Sequence, residues 1–249
     1  MDFENLKLEP LGNGVSVFVS KNHTFGTDAV LLSNFAKLKN TKFAVDLGTG
    51  CGIIPLLLCR ENPPKRAVGV DISEEACALA KMSVEHNNFS EKIEIIHSDL
   101  KDLKGKIEFG LCDVVTCNPP YKAEGAGIKS KTDSDIVARH ETACSLNDII
   151  AVAAKLLQTS GHLFLCQRPE RLGDIICLMR QYKIEPKRLR TVSKTVGHEP
   201  WLILIEGRKG GNANMRIDPP LFVYEQNGDY TKEMLDIYSV YKESCNNDR

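Results

Sequence analysis

The sequence predicts an open, doubly wound α/β fold: a mostly parallel sheet covered on both faces by helices. Three observations predict it. Short apolar runs of strand length alternate with longer helical patterns between residues 43 and 180. The first run, Phe43-Ala44-Val45, passes through Asp46-Leu47-Gly48-Thr49-Gly50-Cys51-Gly52 directly into an apolar helix. Polar residues also recur where strands end, at Asp46, Asp71, Asp99 and Asn118. In an open α/β sheet that carboxyl edge is where ligands bind.

The bounds fit this fold. The chain has 249 residues, 42% of them hydrophobic, enough for one sizeable core with a small extension. We expect a strand-and-helix extension over 1–42, the main domain over 43–209 and a strand/helix tail over 210–249. Net charge is −1, so no global basic field exists and any nucleic-acid contact must use a local patch. Nine cysteines without a C-x-x-C pair suggest reduced thiols packed as small hydrophobes in a cytoplasmic protein, with no metal site. The opening residues lack the basic region and apolar core of a signal peptide, and no run is long enough to span a membrane. Nothing sets an oligomeric state; a monomer is compatible with the sequence.

In chain order, Val15-Ser16-Val17-Phe18-Val19 alternates like a half-buried strand after the turn signal Gly12-Asn13-Gly14. Thr27 is placed to cap a helix, with Asp28 in its first turn, and such a helix start can face a ligand. The glycine loop after Val45 lets backbone approach a ligand closely. Its G-x-G-x-G spacing differs from the G-x-G-x-x-G of dinucleotide binders. Ala67-Val68-Gly69-Val70 is the next strand, ending in Asp71 about 20 residues past the loop, where an acid can bind ribose hydroxyls. Ser73 caps the following helix, and Asn87-Asn88 ends it. Ile93-Glu94-Ile95-Ile96 is a third strand, followed by Ser98-Asp99-Leu100; Asp99 is either a turn acid or a contact for an adenine amine.

The apolar run Leu111-Cys112-Asp113-Val114-Val115-Thr116 then reaches Cys117-Asn118-Pro119-Pro120-Tyr121. Two prolines lack ladder donors, so the chain leaves the sheet at Asn118. An amide, a free carbonyl beside it and the flat Tyr121 ring suit holding a planar amine. Residues 122–135, rich in Lys, Gly and Ser, read as a substrate loop or a plain surface loop. Ser145 with Asp148 makes a capping box for a helix that Gly161 is expected to stop. His162-Leu163-Phe164-Leu165-Cys166 is a fifth strand, and Pro169 opens a helix with Leu172, Ile175, Ile176 and Met179 inward. Two last strands, at 189–196 and 201–205, read as antiparallel neighbours. Lysines and arginines exceed acids by four over 183–211 (seven against three), a small patch that either meets phosphates or is a solvated face. A strand at 219–224, a turn at Asn227-Gly228 and a helix over 230–241 close the chain.

Together these motifs resemble the class I S-adenosylmethionine methyltransferases. Val45-Asp46-Leu47-Gly48-Thr49-Gly50-Cys51-Gly52 is similar to their first motif, and Val70-Asp71 and Asp99-Leu100 to their later cofactor acids. Asn118-Pro119-Pro120-Tyr121 resembles the motif of enzymes that methylate N6 of adenine or glutamine amides. The resemblance implies a Rossmann-like, seven-stranded, mostly parallel sheet with one antiparallel strand. It implies S-adenosyl-L-methionine as cofactor, held by Asp46, Gly48, Gly50, Gly52, Asp71, Ile72, Asp99, Leu100 and Asn118.

Three further stretches narrow the family. Phe25-Gly26-Thr27-Asp28-Ala29-Val30-Leu31-Leu32, Ala138-Arg139-His140-Glu141, and Pro219-Pro220-Leu221-Phe222-Val223-Tyr224 with Gly228-Asp229-Tyr230-Thr231 resemble the bacterial N6-adenine methyltransferases of valine tRNA. That implies tRNA as partner and an anticodon-loop adenine as target. Asn118, Pro119 and Tyr121 would act on the base, with Pro120, Lys122, Arg139, Thr27 and Asp28 binding the substrate. The alternatives are a glutamine-amide methyltransferase acting on a release factor, whose family carries a helical domain before the glycine loop, and a non-catalytic RNA-binding scaffold.

Overall fold

The computed structural model describes residues 6–61, 63–120 and 144–245. The chain opens with an antiparallel hairpin of β1 (Lys7–Gly12) and β2 (Val15–Val19). The sequence signalled only β2. Pro10 sits in β1, which is tolerable because a two-stranded ribbon leaves outer N–H positions unused. Asn87, at the end of a later helix, fastens β2 by accepting from Ser16 N at 2.8 Å and donating to Ser16 O. Helix α1 (Thr27–Phe35) follows.

The central sheet is built from β3 (Phe43–Leu47), β4 (Arg66–Asp71), β5 (Ile93–His97), β6 (Cys112–Cys117), β7 (Leu157–Gln167), β8 (Ile184–Ser193) and β9 (Pro200–Lys209). Helices α2 (Ile53–Glu61), α3 (Glu74–His86), α4 (Leu146–Leu156) and α5 (Leu172–Gln181) connect them. The order is β8-β9-β7-β6-β3-β4-β5; only β9 runs against its neighbours. This is the seven-stranded, doubly wound sheet the sequence implied. Two short strands, β10 (Arg216–Ile217) and β11 (Leu221–Phe222), add themselves parallel to β8 and bring the sheet to nine. At two residues each they carry no periodicity, and the prolines at 219 and 220 shorten the expected strand to β11.

Side chains alternate across the sheet as the pleat requires. Phe164 and Cys166 of β7 join one core with α1, α2 and α3; Leu163 and Leu165 join the other with α4 and α5. Chain order reverses at β3, with β4 on one side and β6 on the other, which opens the crevice where ligands are expected.

Three expected boundaries move. Helix α4 stops at Leu156 and β7 begins at once, so Gly161 is no helix stop. It lies inside β7 at a bulge, where an added Cβ would come within 2.7 Å of Cys112 O. Strand β8 starts five residues before the expected Leu189 and ends at Ser193. The last helix, α6 (Lys232–Cys245), starts and ends later than expected. It packs on β1 and α1, and Tyr238 donates its hydroxyl to Thr27 Oγ1 at 3.0 Å, joining the two ends of the chain.

The basic patch is mostly spent internally. Arg188 pairs with Glu206 at 2.7 Å and lies over Phe35, Arg190 grips Glu233, and Lys209 donates to two carbonyls beside α4. Among the described residues, six cysteines are buried as small apolar groups.

Candidate active site

A cavity of about 360 Å³ opens at the carboxyl edge of β3, β4, β5 and β6. Its floor is the glycine loop. Gly48, Gly50 and Gly52 all have positive φ (72°, 55° and 85°), which side-chain-bearing residues adopt only with strain. At Gly48 and Gly50 a Cβ would meet nothing within 4 Å, and both line the cavity. Gly52 does not: its Cβ would lie 3.1 Å from Ala80 Cβ, so it serves the packing of α2 on α3. One glycine expected at the ligand therefore belongs to the scaffold.

The loop is held from β4. Gly48 N and Thr49 N both donate to Val70 O at 2.9 Å. Asp71, 9% exposed, accepts from Gly50 N at 2.8 Å with one oxygen and from Ser73 N at 2.9 Å with the other. It thus ties two loops together while still lining the cavity, and each oxygen keeps a second lone pair. Ile72, 42% exposed, and Leu100 present apolar surface to the same space. Asp99 is the turn acid of the first reading, capping a short 3₁₀ turn by accepting from Lys101 N at 2.8 Å, and it also lines the cavity.

Asp46 is the correction of most consequence. It lies beneath the loop and not in the cavity wall, 2% exposed, with Oδ1 accepting from Thr116 Oγ1 at 2.6 Å. Its Oδ2 is buried and has no hydrogen-bond partner among the described residues. Burial pushes its carboxyl up to about 7 against the pull of the Thr116 and Thr49 hydroxyls, and the Asp71 charge adds to the rise. With Asp28, Asp71 and Asp99 on the wall and Asp46 below, the cavity is acid-rich and suits a ligand carrying positive charge.

Asn118 leaves β6 at the switch point and lines the cavity with Pro119 and Pro120. Its Oδ1 accepts from the buried Cys166 Sγ at 2.9 Å. Cys166 was not singled out in the sequence, although the β6–β7 register, Cys117 opposite Leu165, puts it beside Asn118. Asn22, His23 and Thr24 line the cavity as well, and only the fold brings them there. His23 is steadied by Ser73 Oγ at 3.4 Å and Glu75 at 3.6 Å. Asp28 reaches the cavity as expected. Thr27 does not: Gly26 holds the N-cap position, and Thr27 is the first helical residue, with its hydroxyl engaged by Tyr238. Tyr121, Lys122 and Arg139 lie outside the described residues.

A glycine cradle after the first core strand, an acid closing the next and Asn-Pro-Pro at the switch point define a class I methyltransferase fold. The chain belongs to the methyltransferase small domain family, whose model matches residues 11–176. It is 30% identical over 221 residues to a tRNA1(Val) (adenine(37)-N6)-methyltransferase of Porphyromonas gingivalis, covering 84% of this chain and 85% of that one. A protein of the same name from Aeromonas hydrophila is 23% identical, covering 87% and 89% of the two chains. Among solved structures, a predicted O-methyltransferase from Agrobacterium tumefaciens superposes with a TM-score of 0.70 at 19% identity, over 86% of this chain and 96% of that one.

Proposed function

We propose that the protein transfers a methyl group from S-adenosyl-L-methionine to the exocyclic N6 amine of an adenine in tRNA, as the names of its relatives suggest. The observation that carries the reading is the opening of Asn118-Pro119 into the same cavity as the Gly48–Gly50 cradle and Asp71. The residues present fit the cofactor: open glycines admit a ligand against the backbone, Asp71 can accept ribose hydroxyls, and Asp99 can accept an adenine amine. Ile72 and Leu100 offer apolar walls to the ring, and the acids favour its positive charge.

When bound, the cofactor supplies a methyl on a cationic sulfur. The chain's own task is orientation and electrostatics. The target amine is weakly nucleophilic because its lone pair is delocalised into the ring. Asn118 Oδ1 and the Pro119 carbonyl accept its two hydrogens, which concentrates electron density on nitrogen. Cys166 holds the amide that does so. Tyr121 is assigned to stacking on the base by its motif position alone. A base in an unpaired loop costs least to extrude.

We assign 43–209 as the catalytic unit, with 1–42 and 210–249 as extensions packed on it. A single copy suffices for this chemistry. No helix among the described residues is long and apolar enough to cross a membrane, and we place the protein in the cytoplasm with its tRNA.

The test is methyl transfer from radiolabelled cofactor to total tRNA lacking its own modification, followed by nucleoside analysis. N6-methyladenosine that vanishes with Asn118→Ala, while cofactor binding survives, supports the reading. Label in a release factor and none in RNA moves the activity to glutamine. No label in either leaves the scaffold reading.

A further inference from the structure

A second, broader cavity of about 660 Å³ is walled by Thr27, Lys194, His198, Glu199, Trp201 and Tyr224. It shares an edge of the sheet with the first. Strand β9 is antiparallel, so its opening residues Pro200 and Trp201 lie at the same edge as the ends of β6 and β7, and β8 delivers Lys194 there too. Strands are spaced about 4.8 Å apart, which puts the start of β9, two strands from β6, roughly 10 Å along the edge from Asn118. The first turn of α1 stands between the cavities: Thr27 lines the second and Asp28 the first.

We propose that this second cavity binds the base of a nucleotide neighbouring the target adenine in the same RNA strand. This rests on the methyl-transfer reading above and adds a second RNA subsite to it. The walls have the chemistry a nucleotide needs. Trp201 and Tyr224 supply stacking surface, the commonest sequence-tolerant way to hold an unpaired base. Both rings are braced. Arg168 lies over Trp201, 5.8 Å from its ring centroid, and donates to Trp201 O at 2.9 Å; Tyr224 stacks on Tyr230 at 5.1 Å. A rigid ring loses little freedom when a base docks. Lys194 is exposed and is the member of the 183–211 basic patch that lines this cavity, placed for a phosphate. His198, also exposed, is anchored by Thr195 Oγ1 at 2.6 Å. Glu199 offers an acceptor to a base amine or a ribose hydroxyl.

The sheet edge thus presents two subsites within the reach of one or two nucleotides. The pocket with Asn118 receives the base to be methylated, and Trp201 receives its neighbour. An unpaired strand is thereby fixed at two points, which sets the direction in which it crosses the cavity.

The experiment measures methylation of an anticodon stem-loop RNA by the wild-type protein, Trp201→Ala, Trp201→Phe and Lys194→Ala. Each is also assayed on stem-loops made abasic at single positions flanking the target. Cofactor affinity is measured separately by calorimetry. We expect Trp201→Ala to raise the KM for RNA roughly tenfold, the scale of one lost base stack, with cofactor affinity retained. Trp201→Phe should recover most of the loss. One flanking abasic substitution should weaken the wild-type protein by a similar factor and leave Trp201→Ala indifferent. Lys194→Ala should flatten the salt dependence of RNA binding. An unchanged KM in Trp201→Ala, or equal losses at every abasic position in both proteins, overturns the subsite alone. No label in the RNA with the wild-type protein overturns the methyl-transfer reading and the subsite with it.

Discussion

Cys166 Sγ sits 2.9 Å from Asn118 Oδ1, across the seam between β7 and β6. The amide proposed to hold the target amine is thus set by a thiol at the end of the next strand. Cys166 is fully buried, while Asn118 is half-buried and faces the cavity. Cys166→Ala should lower kcat about three- to tenfold, since a thiol is a weak donor, with cofactor affinity unchanged. Cys166→Ser keeps a donor and should retain more activity. Equal losses in both variants would mean that the thiol only fills space.

Asp71 has two duties, and substitution should expose both. Asp71→Ala strands the Gly50 and Ser73 N–H groups, at a cost of about 1–3 kcal/mol each where they stay dry. Cofactor affinity should fall first and most, and the melting temperature should drop even without cofactor. Calorimetry and thermal unfolding separate the two. Undiminished affinity would remove Asp71 from the cofactor site.

Asp46 predicts a pH dependence of opposite sign to a carboxylate held in an ion pair. Its folded value, pushed up to about 7, lies above the ordinary 3.8. A raised carboxyl favours folding below its unfolded value, and that contribution is lost as pH rises through about 7. Asp46→Asn removes the buried charge. The variant should therefore gain stability over wild type between pH 4 and 7, by up to about 4 kcal/mol at pH 8. Urea midpoints at pH 5 and pH 8 measure it; the same difference at both would show that Asp46 titrates normally.

Glu206 behaves the other way. Burial alone would raise its carboxyl, but the His162 hydrogen bond and the Arg188 and His162 charges outweigh it and hold Glu206 below 4.5. A depressed value stabilises above the unfolded pKa, and the benefit is lost as pH falls through the folded one. Arg188→Met leaves Glu206 with His162 alone and should cost roughly 3 kcal/mol at pH 7. The penalty should shrink in acid. An equal cost at pH 7 and pH 3 would assign the loss to packing of Arg188 over Phe35.

By itself the sequence determined the alternation of strands and helices and several of the residues that line the cavity. Alternating strands and helices, the glycine loop and Asn118-Pro119-Pro120 are local patterns, and local patterns survive in one dimension. Their spacing already placed Gly48, Gly50, Asp71, Asp99 and Asn118 at one edge, where the structure has them. The capping box of Ser145 and Asp148 was legible for the same reason, because its partners are three residues apart.

Only the tertiary structure decided what depends on distant partners. Gly52 reads like Gly48 until Ala80 of α3 is set against it. Asp46 reads as a ligand contact until Thr116 of β6 draws it under the loop. Thr27 reads as a helix cap until Tyr238, 211 residues away, takes its hydroxyl. His23, Cys166 and Trp201 carry no motif and come to the sheet edge through packing and strand register alone. The order of strands in space, which no local period encodes, settles which end of each strand its neighbours see.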